Sequence, residues 1–282
     1  MMQRNIRLDR KRSLAFSEAG AGPPVILIHG ALATGADWPP SLCDWLVGRG
    51  RRVIALDRPG HGNSRRARFD GAARAQARQI QEALAPELEA PALVVGHSFG
   101  ALVALAWAEQ APAAVAGLLL LAPMALPEVR PFEHAFLAPQ ATPVLGPMLS
   151  RAMGPLFGRG TLDALHRQMF APQPVPESWR ARYPYEQVGT AEHLVREGED
   201  AAAVSPFSPE AYLELSRIRT PARIVAGEAD LIVDPRRQAL PLSRRLPAAG
   251  LTLVPGVGHM VHHYAQDAVR AALTELLAEV AA

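Results

Sequence analysis

Short apolar runs alternate with longer amphipathic stretches along most of this 282-residue chain. Such alternation is typical of repeated strand–helix units around a mostly parallel sheet. After a leading hairpin at 4–8 and 13–18, the apolar runs predict strands at 24–28, 52–56, 92–96, 117–121, 222–226 and 251–254. We therefore expect an α/β fold with a mostly parallel central sheet of about eight strands, flanked by helices.

The amphipathic stretches repeat with the period of an α-helix. They predict helices at 38–47, 70–85, 99–110, 236–246 and 263–281. Asp70 is a suitable N-cap for the second of these helices, and Pro241 is expected to kink the fourth.

The alternation stops between residues 124 and 217, where helical pieces occur without a convincing strand and proline, methionine and aromatic residues are frequent. A connection of this length is too long for a loop inside a compact domain. The sequence therefore predicts a core made of residues 1–123 and 218–282, with residues 124–217 inserted as a helical cap.

A glycine-flanked serine lies where the predicted strand at 92–96 meets the next helix, in the run Gly96-His97-Ser98-Phe99-Gly100. A serine hydroxyl is a weak nucleophile unless it is exposed and a base can reach it. A sharp strand-to-helix turn exposes the hydroxyl, and small flanking residues leave room for the crowded backbone. The pentapeptide pattern alone occurs by chance in roughly one chain in ten of this size, so its position is what indicates a nucleophile rather than a simple turn serine.

The loops after five predicted strands resemble the motifs of the α/β-hydrolase superfamily. They are His29-Gly30-Ala31-Leu32, Asp57-Arg58-Pro59-Gly60-His61-Gly62-Asn63-Ser64, the serine turn, Gly227-Glu228-Ala229-Asp230 and Gly256-Val257-Gly258-His259. The order Ser98, Asp230, His259 is that of this superfamily's catalytic triad. The resemblance covers nearly the whole chain outside the insert and implies the serine-nucleophile branch with a helical cap, which includes esterases, C–C hydrolases and perhydrolases.

In such a site His259 would take the Ser98 proton during attack on a carbonyl and return it to the leaving group. Asp230 would orient the imidazole and stabilise its charged form. The backbone N–H groups of Phe99 and Ala31 are the expected oxyanion hole, with Leu32 as the alternative to Ala31.

Several other residues compete for these roles. Asp234 is the alternative acid, although its Asp-Pro sequence resembles a helix start. His259, His262 and His263 form an H-x-x-H-H run that could hold a metal, but no H-E-x-x-H motif accompanies it. We interpret Arg58 and His61 as structural, and His97 as a packing residue beside the nucleophile.

The remaining composition excludes several classes of protein. The net charge is +2, and the basic clusters at 7–12 and 65–68 lack interleaved aromatic residues, so we expect no nucleic-acid binding. Cys43 is the only cysteine, which leaves no intramolecular disulfide and no cysteine metal cluster. The first residues contain no apolar run of a secretory signal, and we expect a cytoplasmic protein without a membrane span.

We therefore expect a serine hydrolase that cleaves an ester, thioester or lactone of a small, mostly apolar molecule, with no cofactor and no metal. The apolar, methionine-bearing insert suits an apolar acyl group, whereas a substrate carboxylate would need one of its arginines, Arg130, Arg151, Arg159 or Arg167. The alternatives are C–C bond hydrolysis, perhydrolysis or acyl transfer with the same triad, and a non-catalytic ligand-binding role.

Overall fold

Eight strands form one mixed sheet in the computed structural model, which describes residues 1–280. They are β1 (Met2–Arg7), β2 (Ser13–Ala19), β3 (Pro24–Ile28), β4 (Arg52–Leu56), β5 (Ala92–His97), β6 (Val115–Leu121), β7 (Ala222–Gly227) and β8 (Ala249–Val254). Their order across the sheet is β1-β2-β4-β3-β5-β6-β7-β8. The strands from β4 to β8 pair in parallel, and only the leading β1–β2 hairpin and its junction with β4 are antiparallel. The predicted fold class is confirmed.

Eleven α-helices lie within the described residues. They are α1 (Pro40–Val47), α2 (Ala73–Leu84), α3 (Phe99–Gln110), α4 (Leu145–Met153), α5 (Arg159–Phe170), α6 (Glu177–Arg180), α7 (Tyr185–Val188), α8 (Ala191–Ala203), α9 (Ala239–Arg245), α10 (Val261–Tyr264) and α11 (Gln266–Glu279). None of them is long and apolar enough to cross a membrane.

The central strands are apolar on both faces because helices cover both sides of the sheet. In β3, every residue is buried. Ile26 and Ile28 point to one face and join the apolar cluster of α2 and α3. Val25 and Leu27 point to the other face and join the cluster of α1 and α11. This two-sided burial explains why the sequence shows continuous apolar runs rather than alternation.

The prediction that Asp70 caps the helix at 70–85 was wrong. α2 begins at Ala73 with Ala72 as its N-cap residue, and no side chain caps it. Residues 69–71 pack against Glu199 of α8 instead, since the Phe69 N–H donates to the Glu199 carboxylate and Phe69 has a φ of +70°. This tertiary contact holds the chain out of the helical conformation that Asp70 would have capped.

Two further helix predictions also need correction. α9 begins at Ala239, so Pro241 lies in its first turn, where a proline removes no intrahelical hydrogen bond and need not bend the helix. The helix predicted at 263–281 is observed as α10 and α11, separated at Ala265, which has a φ of −116° and a ψ of 39°. Residue 281, the predicted end, lies outside the described residues.

Residues 124–217 contain α4 to α8, several 3-10 turns and a π-helical turn at Glu133–Leu137, with no strand. We call these residues the helical segment. Its largest apolar cluster contains Leu162, Phe170, Trp179, Tyr183 and Val188, and it shares this cluster with Leu32 and Met260 from outside the segment. The segment therefore packs against the loops after β3 and β8. Its division from the core as a separate cap stays a prediction.

His166 lies in this cluster, fully buried and edge-on to Trp179 and Tyr183, with ring centroids 4.8 and 4.2 Å away. Within the described chain, neither of its ring nitrogens has a hydrogen-bond partner. Burial lowers the pKa of His166 to about 4, against the attraction of nearby Asp163. The folded protein therefore holds this imidazole neutral under conditions in which an unfolded chain would protonate it.

A pH-dependent loss of stability follows from this histidine. Because an unfolded histidine has a pKa of about 6.5, the free energy of unfolding should fall as the pH drops from about 6.5 towards about 4. His166→Phe keeps an aromatic ring without the titration, and should flatten this pH dependence by up to about 1.4 kcal/mol per pH unit. Urea unfolding curves across this range measure the slope. Between about pH 7 and 8 the two proteins should have equal slopes, and equal slopes at lower pH would contradict the assignment.

Candidate active site

Ser98 occupies a sharp turn between the end of β5 and the start of α3. Its φ of +54° and ψ of −119° are unfavourable for a residue with a side chain, so neighbouring contacts must hold it. Its N–H donates to the Leu121 carbonyl at 2.9 Å, and its own carbonyl accepts from the N–H groups of Ala101 and Met124. Three backbone hydrogen bonds therefore fix the turn and leave the hydroxyl free of any structural role in it.

The glycine after Ser98 lets this turn pack directly on the neighbouring strand. A Cβ atom on Gly100 would lie 2.2 Å from the Ile28 carbonyl oxygen of β3. No side chain fits at that distance, so the G-x-S-x-G spacing reflects the close approach of two backbones.

His259 and Asp230 form a buried pair in the loops that follow β8 and β7. The His259 Nδ1–H donates to Asp230 Oδ2 at 2.8 Å. Asp230 Oδ1 accepts from the backbone N–H groups of Ile232 and Val233 at 2.8 and 2.9 Å. The carboxylate is thus fixed by its own loop and fixes the imidazole in turn, which leaves the lone pair of a neutral His259 on Nε2.

The structure brings together three of the sequence-predicted residues and separates the alternative acid from them. Ser98 and His259 line the same cavity, and Asp230 lies behind His259. Asp234 is exposed, and its carboxylate accepts the Arg236 N–H at 2.9 Å at the start of a turn. The acid that contacts His259 is therefore Asp230. Asp234 precedes a turn and not a helix, since α9 begins at Ala239.

The two predicted oxyanion donors also lie at this cavity. A Cβ atom on Gly30 would lie 3.0 Å from the Ser98 Cβ, so the backbone at Gly30 passes directly beside Ser98. Ala31 and Phe99 both line the cavity. The Phe99 N–H is at the first position of α3, where no intrahelical acceptor exists. The alternative donor, the Leu32 N–H, instead donates to Glu197 Oε1 at 2.7 Å.

The cavity above Ser98 has a volume of about 480 Å³. Most of its lining is apolar and comes from the helical segment and the loops around it, namely Leu32, Phe99, Met124, Phe132, Leu137, Leu165, Met169, Val204, Leu231 and Ile232. The acidic residues in its lining are Asp37, Glu133, Glu197 and Asp200.

Of the four arginines that could meet a substrate carboxylate, only Arg130 lines this cavity. Its guanidinium donates to Glu133 Oε1 at 2.8 Å and to the Ile232 carbonyl at 3.0 Å, and it lies 3.4 Å from Glu128. The charge of Arg130 is therefore already neutralised. Arg151, Arg159 and Arg167 are exposed.

A buried ionic cluster at the cavity wall could not be predicted from local sequence. Asp200 of α8 lies 2.7 Å from Arg58 Nη1, 2.7 Å from Arg66 Nη1 and 2.9 Å from His61 Nε2. Burial opposes ionisation of Asp200, but the contacts with Arg66, Arg58 and His61 outweigh it and hold its pKa well below the usual range. Arg58 and His61 thus share a buried partner, Asp200, which lies 139 or more residues away in the sequence and belongs to no motif. This contact agrees with a structural role for both residues.

The histidines after His259 do not gather around it. His262 Nε2 lies 3.0 Å from Asp37 Oδ2, and Trp179 Nε1 donates to Asp37 Oδ1 at 2.7 Å. His97 packs between the rings of His259 and His262, at 4.7 and 4.3 Å, and its Nε2 donates to the His259 carbonyl at 3.2 Å. Burial lowers the pKa of His97 well below its usual value, so this ring is a neutral support for the His259 loop.

Within residues 1–280, two groups of three side chains have the donor types and spacing that could hold a metal ion. They are Asp37, His97 and His262, and His61, His193 and Glu197, each with ligand atoms within 4.8 Å of one another. Both carboxylates already accept hydrogen bonds from protein groups, from Trp179 and from the Leu32 N–H respectively. Neither group includes His259, which pairs with Asp230.

Comparison with known proteins identifies related sequences and folds. A family model described as "Alpha/beta hydrolase family" matches residues 25–272. The chain is 42% identical over 108 residues to pimeloyl-[acyl-carrier protein] methyl ester esterase of Methylococcus capsulatus, which covers 38% of this chain and 40% of that protein. This chain therefore aligns with less than half the length of its curated relative.

Two solved structures superpose on almost the entire chain. A thermophilic esterase from Thermogutta terrifontis has a TM-score of 0.72 at 22% identity and covers 99% of both chains. The 2-hydroxy-6-oxo-6-phenylhexa-2,4-dienoate hydrolase of Rhodococcus sp. strain RHA1 has a TM-score of 0.77 at 22% identity and covers 98% of both chains. Similarity at this level of identity establishes a shared fold.

The contrast between the two aspartates can be tested directly. Asp230→Asn should lower kcat for a p-nitrophenyl ester by about 10³–10⁴-fold, because the amide no longer fixes the His259 tautomer. Asp234→Asn should stay within about twofold of the unsubstituted protein, since Asp234 is exposed and its carboxylate accepts the Arg236 N–H. Steady-state release of p-nitrophenol measures both variants. A large loss of kcat in Asp234→Asn with a mild loss in Asp230→Asn would assign the acid role to Asp234.

Proposed function

Because the chain belongs to the alpha/beta hydrolase family, we propose that it is a serine hydrolase that forms an acyl-enzyme on Ser98. Its substrate is an ester, thioester or lactone of a small, mostly apolar molecule. The observation that carries the proposal is the buried His259–Asp230 hydrogen bond at the wall of the cavity that contains Ser98.

In the proposed reaction, Ser98 Oγ attacks the substrate carbonyl while His259 Nε2 takes its proton. Asp230 remains ionised and stabilises the imidazolium. The N–H groups of Ala31 and Phe99 donate to the oxyanion of the tetrahedral intermediate. The imidazolium then protonates the leaving alcohol or thiol, and water attacks the acyl-enzyme by the same route. None of these steps requires a cofactor or a metal.

The lining of the cavity supports a neutral, apolar acyl group. Most of the lining is apolar, and the guanidinium of Arg130 is already paired with Glu133. A substrate carboxylate would therefore lose its hydration in this pocket without gaining a charge partner from Arg130. We propose that residues 124–217 act as the cap that shapes this pocket, since they supply much of its apolar surface.

Hydrolysis of a p-nitrophenyl ester series, from acetate to long acyl chains, tests the nucleophile and the pocket together. Ser98→Ala should lower kcat by about 10⁴-fold or more, while the chain-length optimum reports the size of the acyl site. Circular dichroism of the variant controls for folding. More than a tenth of the original activity in Ser98→Ala would contradict the assigned nucleophile. A folded protein inactive on all esters would direct attention to C–C hydrolysis, perhydrolysis or a binding role.

The preference for neutral acyl groups has its own test. The monoanionic p-nitrophenyl glutarate should show a kcat/KM about tenfold or more below that of p-nitrophenyl butyrate. Its methyl ester has the same chain without the charge and should recover most of the difference. Equal kcat/KM values for the anion and its methyl ester would show that the pocket does not select against a charged acyl group.

A further inference from the structure

Buried side chains of the helical segment hold both backbone polar groups of Leu32. The Leu32 N–H donates to Glu197 Oε1 of α8 at 2.7 Å, and the Tyr183 hydroxyl donates to the Leu32 carbonyl at 2.7 Å. Glu197 is 2% exposed and Tyr183 is 8% exposed. We call these two side chains the Leu32 clamp. Leu32 has a φ of +52°, an uncommon conformation for a residue with a bulky side chain, which must be held by its surroundings.

The clamp acts on the residue next to the proposed oxyanion donor. The Ala31 N–H belongs to the same planar peptide unit as the Gly30 carbonyl. That carbonyl contacts His29 Nδ1 at 2.8 Å and accepts from Arg58 Nη2 at 3.2 Å. In a trans peptide the N–H points away from the carbonyl, so these contacts and the clamp at Leu32 fix the direction of the Ala31 N–H from both sides.

The helical segment contributes to both of these supports. Glu197 reaches Leu32 directly, and Asp200, one turn further along α8, lies 2.7 Å from Arg58 Nη1. Burial opposes ionisation of Glu197, but His61 and His193 at its Oε1 hold its pKa well below the usual range. An ionised acceptor makes a stronger hydrogen bond to the Leu32 N–H than a neutral one would.

We propose that Glu197 and Tyr183 are positioning residues that hold the Ala31 N–H in the direction an oxyanion donor requires. The oxyanion hole is then complete only while the helical segment packs against the loop after β3. The proposal rests on the proposed serine hydrolase function. It assigns the segment a role in the chemical step, beyond shaping the pocket for the substrate.

Tyr183→Phe is the sharpest test, because it removes one hydroxyl and keeps the ring. With p-nitrophenyl butyrate, kcat should fall by about tenfold, less than the 10²–10³-fold cost of removing an oxyanion donor altogether, and KM should change little. Tyr185→Phe is the matched control. The Tyr185 ring lies 4.8 Å from that of Tyr183, but its hydroxyl donates to Asp163 within the helical segment, so kcat should be nearly unchanged.

A pair of substitutions at Glu197 tests the other half of the clamp. Glu197→Gln keeps an acceptor oxygen for the Leu32 N–H, whereas Glu197→Ala removes it. The alanine variant should lose more than tenfold in kcat, and the glutamine variant should recover most of that loss. Should the alanine variant fail to fold, the Tyr183 and Tyr185 pair decides the proposal.

Affinity for a trifluoromethyl ketone separates positioning from general damage. This inhibitor adds to a serine and forms an oxyanion, so its binding should weaken in proportion to the loss of kcat/KM. Binding of a neutral alcohol product, which makes no oxyanion, should stay constant. Proportional loss for the ketone alone supports the clamp, and equal loss for both ligands overturns it.

Ser98→Ala keeps the two proposals distinguishable. Activity retained in that variant would contradict the serine hydrolase itself. Activity lost in Ser98→Ala, together with a Tyr183→Phe variant that matches Tyr185→Phe, would overturn the clamp and leave the hydrolase standing.

Discussion

The left-handed backbone at Ser98 is the constraint on which the rest of the site depends. A residue with a side chain in this region costs of order 1–3 kcal/mol, so the surrounding sheet must stabilise it. β6 does so through the Leu121 carbonyl, which accepts the Ser98 N–H. The backbone of β3 packs so closely on the turn that a Cβ atom on Gly100 would lie 2.2 Å from the Ile28 carbonyl oxygen. The turn at Ser98 therefore depends on β3, β5 and β6 being adjacent in one parallel sheet.

Parallel pairing also explains why five separate loops converge. The carboxyl ends of β3, β4, β5, β7 and β8 lie on one edge of the sheet, and each is followed by a loop that reaches the cavity or supports it. The loop after β3 supplies the backbone at Gly30 and Ala31, the loop after β4 supplies Arg58, and the last two loops supply Asp230 and His259. The sheet fixes where these loops begin, and the loops carry the candidate site residues.

The helical segment is joined to this edge by buried polar contacts as well as by apolar packing. Asp200 meets Arg58 and His61, Glu197 meets the Leu32 N–H, and Trp179 meets Asp37. Buried charges of this kind are costly if one partner is removed, so they specify one docked arrangement of the segment more strictly than apolar contact does. In this arrangement the segment also supplies part of the lining of the cavity above Ser98.

Local sequence determined the elements and the candidate chemistry. The strands at 24–28 and 52–56 and the helix at 99–110 were predicted to the residue, because continuous apolar runs between turn residues are a local signal. Ser98, Asp230 and His259 were identified as candidates because their motifs follow predicted strands. Only the tertiary structure decided that Asp70 caps nothing, that His262 pairs with Asp37, and which side chains meet Arg58 and Leu32. The contacts of Arg58 with Asp200, of Leu32 with Tyr183 and Glu197, and of His262 with Asp37 join residues from 142 to 225 positions apart. Since they form only when the fold buries both partners together, they leave no periodicity or motif in the chain.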